Sequence, residues 1–183
     1  MAENTGNSSG TRGNRWSMAI WGGAALLLLT PLVAMQFTSE VNWDETDFIV
    51  MGVMLVAACG TCELATRLSA NTAYRAAVAV AVVTGFVMVW ISLAVGVFGN
   101  ENDPANLMFA GVLAVAVFGT LVARFRARGM ARVLYATSAA QLFVAAIALA
   151  LGFGETVLLA ALFALPWLAS AQLFRRAARE NRE

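Results

Sequence analysis

The chain has 183 residues, of which 60% are hydrophobic and 13% are charged, and its formal net charge is +1. A soluble domain is typically about half apolar and about a quarter charged, so this composition excludes an ordinary soluble domain and indicates a membrane protein. The near-neutral charge argues against nucleic-acid binding. The sequence has no His and no Lys, which excludes histidine-ligated haem or zinc and lysine Schiff bases. We therefore expect no cofactor.

Residues 1–16 begin the chain with a stretch rich in Asn, Gly and Ser. Such a composition buries too little apolar surface to fold, so we expect a disordered cytoplasmic tail. The apolar run that follows is as long as a membrane span, and no A-x-A type cleavage site follows it. This argues against a cleaved signal peptide.

Six apolar stretches then follow, each close to the ~20 residues with which an α-helix crosses ~30 Å of hydrocarbon. Their approximate bounds are 17–37, 48–65, 76–98, 105–123, 133–153 and 156–174. A helix satisfies its own backbone hydrogen bonds in lipid. The sequence therefore predicts an all-α integral membrane protein, with a six-helix transmembrane bundle at residues 17–174 and an Arg-rich C-terminal tail at 175–183.

The basic residues are confined to alternate connections of this six-span arrangement. They precede the first span, occupy the second and fourth connections, and end the chain: Arg12, Arg15, Arg67, Arg75, Arg124, Arg126, Arg128, Arg132, Arg175, Arg176, Arg179 and Arg182. The positive-inside rule then places both termini in the cytoplasm. The use of Arg without Lys, with much Ala and Val, is typical of GC-rich bacterial genomes, so the predicted location is the bacterial inner (plasma) membrane. The Arg-rich connections are candidate contacts for anionic lipids.

The second span ends with two thiols and a carboxylate. Cys59 and Cys62 have the spacing of a dithiol redox motif, but the chain has no further cysteine to form a second pair. Free Cys is often a small hydrophobic residue, so packing is the favoured role. An ionisable residue within a span, such as Glu63, is a candidate functional residue.

Two interpretations of Glu63 remain open. In the first, Glu63 pairs with Arg67 one turn later, since Glu before a basic residue is the favourable order on a helix. In the second, Glu63 is a gate or proton-coupled carboxylate that faces the bundle. Asn106 and Gln141 are the other polar residues that we assign to a candidate pathway, although hydrogen bonding between helices is the favoured role of both.

An acidic cluster on the predicted outer side is a weak candidate for a cation site, because hard cations prefer carboxylates. Its members are Glu40, Asp44, Glu45, Asp47 and Asp103. Helix capping is the favoured explanation. Thr46 or Asp47 is expected to cap the second helix, and Asp103 a helix that begins at Pro104. Pro31 and Pro166 are expected to kink the first and last helices.

Several short motifs resemble those of a family of small, uncharacterised polytopic bacterial inner-membrane proteins. They are Val41-Asn42-Trp43, Asp47-Phe48, Glu63-Leu64-Ala65 and the run from Asn102 to Met108. The resemblance covers most of the membrane region. It implies location and fold only, and it transfers no catalytic residue.

The spans contain no catalytic or metal-binding constellation that we recognise. Our first hypothesis is therefore a non-enzymatic accessory or scaffold protein that packs in the lipid bilayer against other membrane proteins or a second copy of itself. The alternative is a small transporter or channel for an ion or small solute, with Glu63 in the pathway.

Overall fold

The computed structural model of the protein describes residues 9–94, 96–98 and 103–180, with side chains described from Ser17 onward except that of Glu155. Residues 1–8 of the predicted tail, Asn102 and the last three residues of the chain lie outside this part. The described residues form helices and turns without β-strands. The seven α-helices are α1 (Ser9–Ala34), α2 (Glu45–Leu68), α3 (Thr72–Ala94), α4 (Leu107–Ala123), α5 (Ala127–Ala150), α6 (Gly154–Leu162) and α7 (Ala164–Glu180).

Within the part of the chain that the structure describes, six helical segments are long and apolar enough to cross a membrane, which confirms the number and order of the predicted segments. They are Ser17–Ala34, Glu45–Leu68, Thr72–Ala94, Pro104–Ala123, Ala127–Ala150 and Thr156–Glu180. Most of these helices extend beyond the apolar runs, since backbone hydrogen bonding continues into polar sequence. Thus α1 begins at Ser9, inside the predicted tail, and α7 continues to Glu180, inside the Arg-rich C-terminal segment.

The sixth segment is interrupted where the sequence predicts a kink. Helix α6 ends at Leu162, Phe163 lies in a turn, and α7 begins at Ala164. Pro166 has no N–H to donate to the carbonyl of Leu162, and its ring crowds that carbonyl. The break therefore lies one turn before the proline. Pro31, by contrast, lies inside α1, which continues to Ala34.

The chain divides into two compact units, the first ending at Glu63 and the second beginning at Leu64. The first unit contains α1 and most of α2. Pro31 is buried, and the other side chains from Ser17 to Ala34 are half-buried or exposed. Large apolar side chains such as Leu26 and Ile49 are among the exposed ones. This is the surface expected of helices whose surroundings are lipid.

The second unit has a well-packed core in which α5 contacts α4, α6 and α7, and α3 contacts α7. Phe98 stacks on Phe109 with ring centroids 5.1 Å apart. Trp167 of α7 is 2% exposed and Met88 of α3 is fully buried. The hydroxyl of Ser170 in α7 donates to the carbonyl oxygen of Ala77 in α3 at 2.7 Å. Helices α3 and α7 are thus joined by both apolar packing and a polar bond.

The connection between α4 and α5 is short and strained. Arg124 and Phe125 both have a positive φ, 49° and 59°, in the left-handed region that costs a non-glycine residue free energy. The Tyr74 hydroxyl of α3 donates to the carbonyl oxygen of Phe125 at 2.9 Å. A third helix therefore holds this turn, which brings the start of α5 back against the end of α4.

Candidate functional site

The candidate site of the first unit is centred on Glu63 in α2. Its side chain is half-buried, and Nε1 of Trp21 in α1 donates to its Oε2 at 3.2 Å. The carboxylate thus accepts a hydrogen bond from a neighbouring helix, a partner that the sequence analysis did not predict. The relevant signal is an indole N–H in an apolar helix, which needs an acceptor. Arg67 is exposed in the last turn of α2, and its pairing with Glu63 stays a prediction.

The two thiols lie on the same helix as Glu63. Cys59 is 7% exposed, Cys62 is half-buried, and both are free. The Cys59 sulfur approaches the carbonyl oxygen of Ile20 in α1 at 3.9 Å. Cys59 therefore packs against α1, in the role that a small apolar residue has.

Asn106 lies in a single 3₁₀ turn, Pro104–Asn106, that leads into α4. Its Oδ1 accepts from the backbone N–H of Val97 at 2.9 Å and of Phe98 at 3.0 Å. Its Nδ2 donates to the carbonyl oxygen of Phe98 at 3.1 Å. We expected a bond to a neighbouring helix; the partner is instead the segment that follows α3, which has left the helix and needs partners for its backbone.

Gln141 and Ser138, on one face of α5, bond the sixth segment on both sides of its interruption. Gln141 Nε2 donates to the carbonyl oxygen of Ala160 at 2.8 Å, and Ser138 Oγ to that of Ala164 at 3.0 Å. Within the described part of the chain, Gln141 Oε1 is buried without a hydrogen-bond partner, as is Trp167 Nε1. Gln141 therefore bridges helices, and its partner is separate from those of Asn106.

The acidic residues predicted on the outer side serve mainly as caps. The backbone N–H of Asp47 donates to Asp44 Oδ1, and that of Asp44 to Asp47 Oδ2, both at 3.0 Å. Asp44 therefore caps α2, rather than Thr46 or Asp47, because the helix begins at Glu45. The Asp103 carboxylate accepts from Ala105 N–H at 2.8 Å, with Pro104 next in the chain, which confirms that cap.

Glu40 and Glu45 are exposed members of the same acidic group. The backbone N–H of Glu40 donates to Thr38 Oγ1 at 3.1 Å. Glu45 lies in the first turn of α2, where a negative charge complements the helix dipole. Among the residues described here, no three or more Asp, Glu, Cys or His side chains lie close enough together to hold a metal ion.

The structure thus uses most of the candidate residues as caps and bridges, whereas Glu63 is a half-buried carboxylate within an apolar helix that accepts a hydrogen bond from Trp21. Ser170 also bridges helices. The sequence marks it as a polar residue in an apolar helix but does not indicate its partner, because a serine in such a helix usually bonds its own backbone. Comparison with protein-family models, with curated proteins and with solved structures finds no match to this chain.

Proposed function

We propose that this protein is a multi-pass protein of the bacterial inner (plasma) membrane with both termini in the cytoplasm. Six apolar helical segments support the membrane location. The arginines support the orientation, since every one lies before the first predicted apolar run, between the second and third or the fourth and fifth runs, or after the last run. This is the distribution that the positive-inside rule associates with the cytoplasmic side.

Within that membrane, we propose that the protein is a non-enzymatic accessory or scaffold component. The observation that carries this proposal is the use of the buried polar side chains in the second unit. Asn106, Ser138, Gln141 and Ser170 all bond backbone groups of neighbouring segments. Intramembrane polar groups used in this way stabilise helix association, whereas a solute pathway needs them turned toward a passage.

The first experiment tests location, orientation and partnership in one preparation. The full chain, fused after Glu183 to a reporter that is active only in the cytoplasm, is expressed in bacteria and extracted in mild detergent. We expect reporter activity in the membrane fraction, and a partner or second copy that copurifies at fixed stoichiometry. An unrelated six-span protein prepared in parallel defines the background. Activity of a periplasm-only reporter at the same position contradicts the orientation.

The alternative is that the protein is a small transporter or channel in which Glu63 lines the pathway. A half-buried carboxylate within an apolar segment supports it, since such groups are costly unless they are used. In vesicles loaded with a pH-sensitive dye, this alternative predicts proton or monovalent-cation flux above that of protein-free vesicles. Glu63→Gln is then expected to lower the flux by about tenfold or more, as loss of the charge raises the barrier to a cation.

Glu45→Gln is the matched control, because it makes the same chemical change in the exposed first turn of the same helix. It is expected to leave any flux unchanged. The scaffold proposal predicts no flux from wild-type protein at any membrane potential. Flux that Glu63→Gln abolishes and Glu45→Gln preserves would overturn it in favour of transport.

A further inference from the structure

Two adjoining cavities lie where α5 begins and α7 ends, and arginines dominate their walls. The first has a volume of about 380 Å³ and is lined by Arg128, Arg132, Tyr135, Arg175 and Arg179 together with two alanines. The second, of about 460 Å³, is lined by Arg126, Arg128 and Arg132 together with small residues. Because they share Arg128, Arg132 and Ala178, the two cavities are compartments of one surface, here called the arginine pockets.

Among the described residues, the walls of the arginine pockets contain no group that neutralises their positive charge. None of the described residues that line either cavity is Asp or Glu. Nearby, Glu180 accepts from Arg176 Nε at 2.9 Å and from Asn71 Nδ2 at 2.9 Å, so this carboxylate is already occupied outside the cavities. Several like charges around one concave surface repel one another and create a strongly positive local potential. An anion is the occupant that relieves the repulsion.

The walls are also partly preorganised. Arg175 Nη1 donates to the Tyr135 hydroxyl at 3.1 Å, and the guanidinium lies 5.9 Å from the centroid of the Tyr135 ring. Tyr135 thus positions Arg175 against α5. A guanidinium presents a planar fork of donors that matches two oxygens of a phosphate, so these walls favour a phosphate group over a simple halide.

The N-terminus of α5 adds to this preference. The N-cap residue, Arg126, makes no side-chain cap, and the first turn contains no acidic residue. Ala127, Arg128 and Gly129 of that turn line the second cavity. The N–H groups at the start of a helix and its dipole favour an anion. Both the side chains and the backbone therefore present positive charge to the same space.

We propose that the arginine pockets bind the headgroup of an anionic phospholipid that carries two phosphate groups, one in each cavity. This inference rests on the proposed membrane location and extends it to a specific lipid class. The pockets lie at the ends of apolar segments, since Arg132 precedes the predicted run at 133–153 and Arg175 follows the one at 156–174. That is the level of lipid headgroups, where basic pockets between helices bind such lipids.

Lipid titration of the full chain in mild detergent, followed by native mass spectrometry, tests the assignment. The probes are diphosphatidylglycerol with two phosphates, phosphatidylglycerol with one, phosphatidylcholine, and inorganic phosphate as competitor. We expect diphosphatidylglycerol to bind about tenfold more tightly than phosphatidylglycerol, because a second phosphate adds charge-assisted bonds. Millimolar inorganic phosphate is expected to leave the lipid bound. Displacement by free phosphate, or equal binding of the two anionic lipids, overturns the proposal.

Two double variants separate a defined site from general surface charge. Arg128→Gln with Arg132→Gln removes the two arginines common to both cavities and is expected to weaken diphosphatidylglycerol binding by about tenfold or more. Arg124→Gln with Arg176→Gln removes the same charge from residues that line neither cavity, and is expected to change binding by less than about threefold. Equal losses in the two variants mean that diffuse electrostatics suffice, which also overturns the proposal.

A third variant covers the case in which the glutamine variant does not fold. Arg128→Lys with Arg132→Lys keeps both charges but loses the guanidinium forks, and it is expected to reduce the preference for two phosphates by about threefold or more; an unchanged preference counts against the site. Failure of the site is distinguishable from failure of the proposed location. A protein found in the membrane fraction that does not select the lipid refutes the pockets alone.

Discussion

Replacing Asn106 by alanine is expected to lower the free energy of unfolding by about 3 kcal/mol or more, since each buried backbone group left without a partner costs about 1–3 kcal/mol. Three such groups are affected, the N–H of Val97, the N–H of Phe98 and the carbonyl of Phe98. Val97 is 3% exposed and Phe98 is 0% exposed, so water does not readily replace the amide. Thermal or denaturant unfolding in detergent, followed by circular dichroism, measures the loss.

Asn71→Ala is the matched control for this prediction. The Asn71 side chain accepts from the backbone N–H of Tyr74 at 2.9 Å, and it caps α3 at a position that is only half-buried. Loss of such a cap costs about 1 kcal/mol. We therefore expect the Asn106 variant to be clearly less stable than the Asn71 variant. Similar small losses in both would mean that the segment after α3 does not depend on Asn106.

Replacing Gly119 by alanine is expected to destabilise the contact between α4 and α5 by about 1–3 kcal/mol, the usual cost of overpacking. An added Cβ would lie 2.6 Å from Cγ1, 3.0 Å from Cγ2 and 3.3 Å from Cβ of Val133. Because Val is branched at Cβ and stiff about χ1, rotation of its side chain does not open the space. The helices themselves have to separate, and unfolding in detergent reports the cost.

Helix α4 contains a second glycine that serves as a control, and a substitution in α5 is expected to rescue the Gly119 variant. A Cβ added to Gly111 meets no described atom within 4 Å, so Gly111→Ala is expected to be neutral or stabilising by up to about 1 kcal/mol through helix propensity. Val133→Ala in the Gly119→Ala background is expected to restore at least part of the loss, because it returns the space. Additive effects of these two substitutions are incompatible with direct contact at this position.

Hydropathy was sufficient to predict the six apolar segments, because the length of a span depends on the thickness of the bilayer. It was not sufficient for the ends of the helices. The first turn of α2 includes Glu45 and Asp47, and the last turn of α7 includes Arg179. These charged residues lie beyond the ends of the apolar runs but still inside the hydrogen-bonded helices. Pro166 was recognised as a helix breaker, yet only the structure shows that α6 ends four residues earlier, at Leu162.

The hydrogen-bond partners of the polar residues could not be predicted from the sequence, for a different reason. The sequence of a helix that is apolar on all sides does not indicate which face meets a neighbour. The rotation of α1 and α5 about their axes therefore cannot be predicted from the sequence. The bond from Trp21 to Glu63 joins residues 42 positions apart, and that from Gln141 to Ala160 ends on a backbone carbonyl. Local caps, such as Asp103, were predictable because both partners lie within a few residues.

The bond between Ser170 and Ala77 has a consequence for the order in which the protein is assembled. These residues are 93 positions apart, and a ribosome adds roughly 5–20 residues per second. About 5–20 s therefore pass between the synthesis of Ala77 in α3 and that of Ser170 in α7. Until then Tyr74 lacks the ring of Phe174, which lies 5.1 Å away in the finished protein. The nascent second unit is therefore complete only after its last helix, α7, has been synthesised and covers this surface of α3.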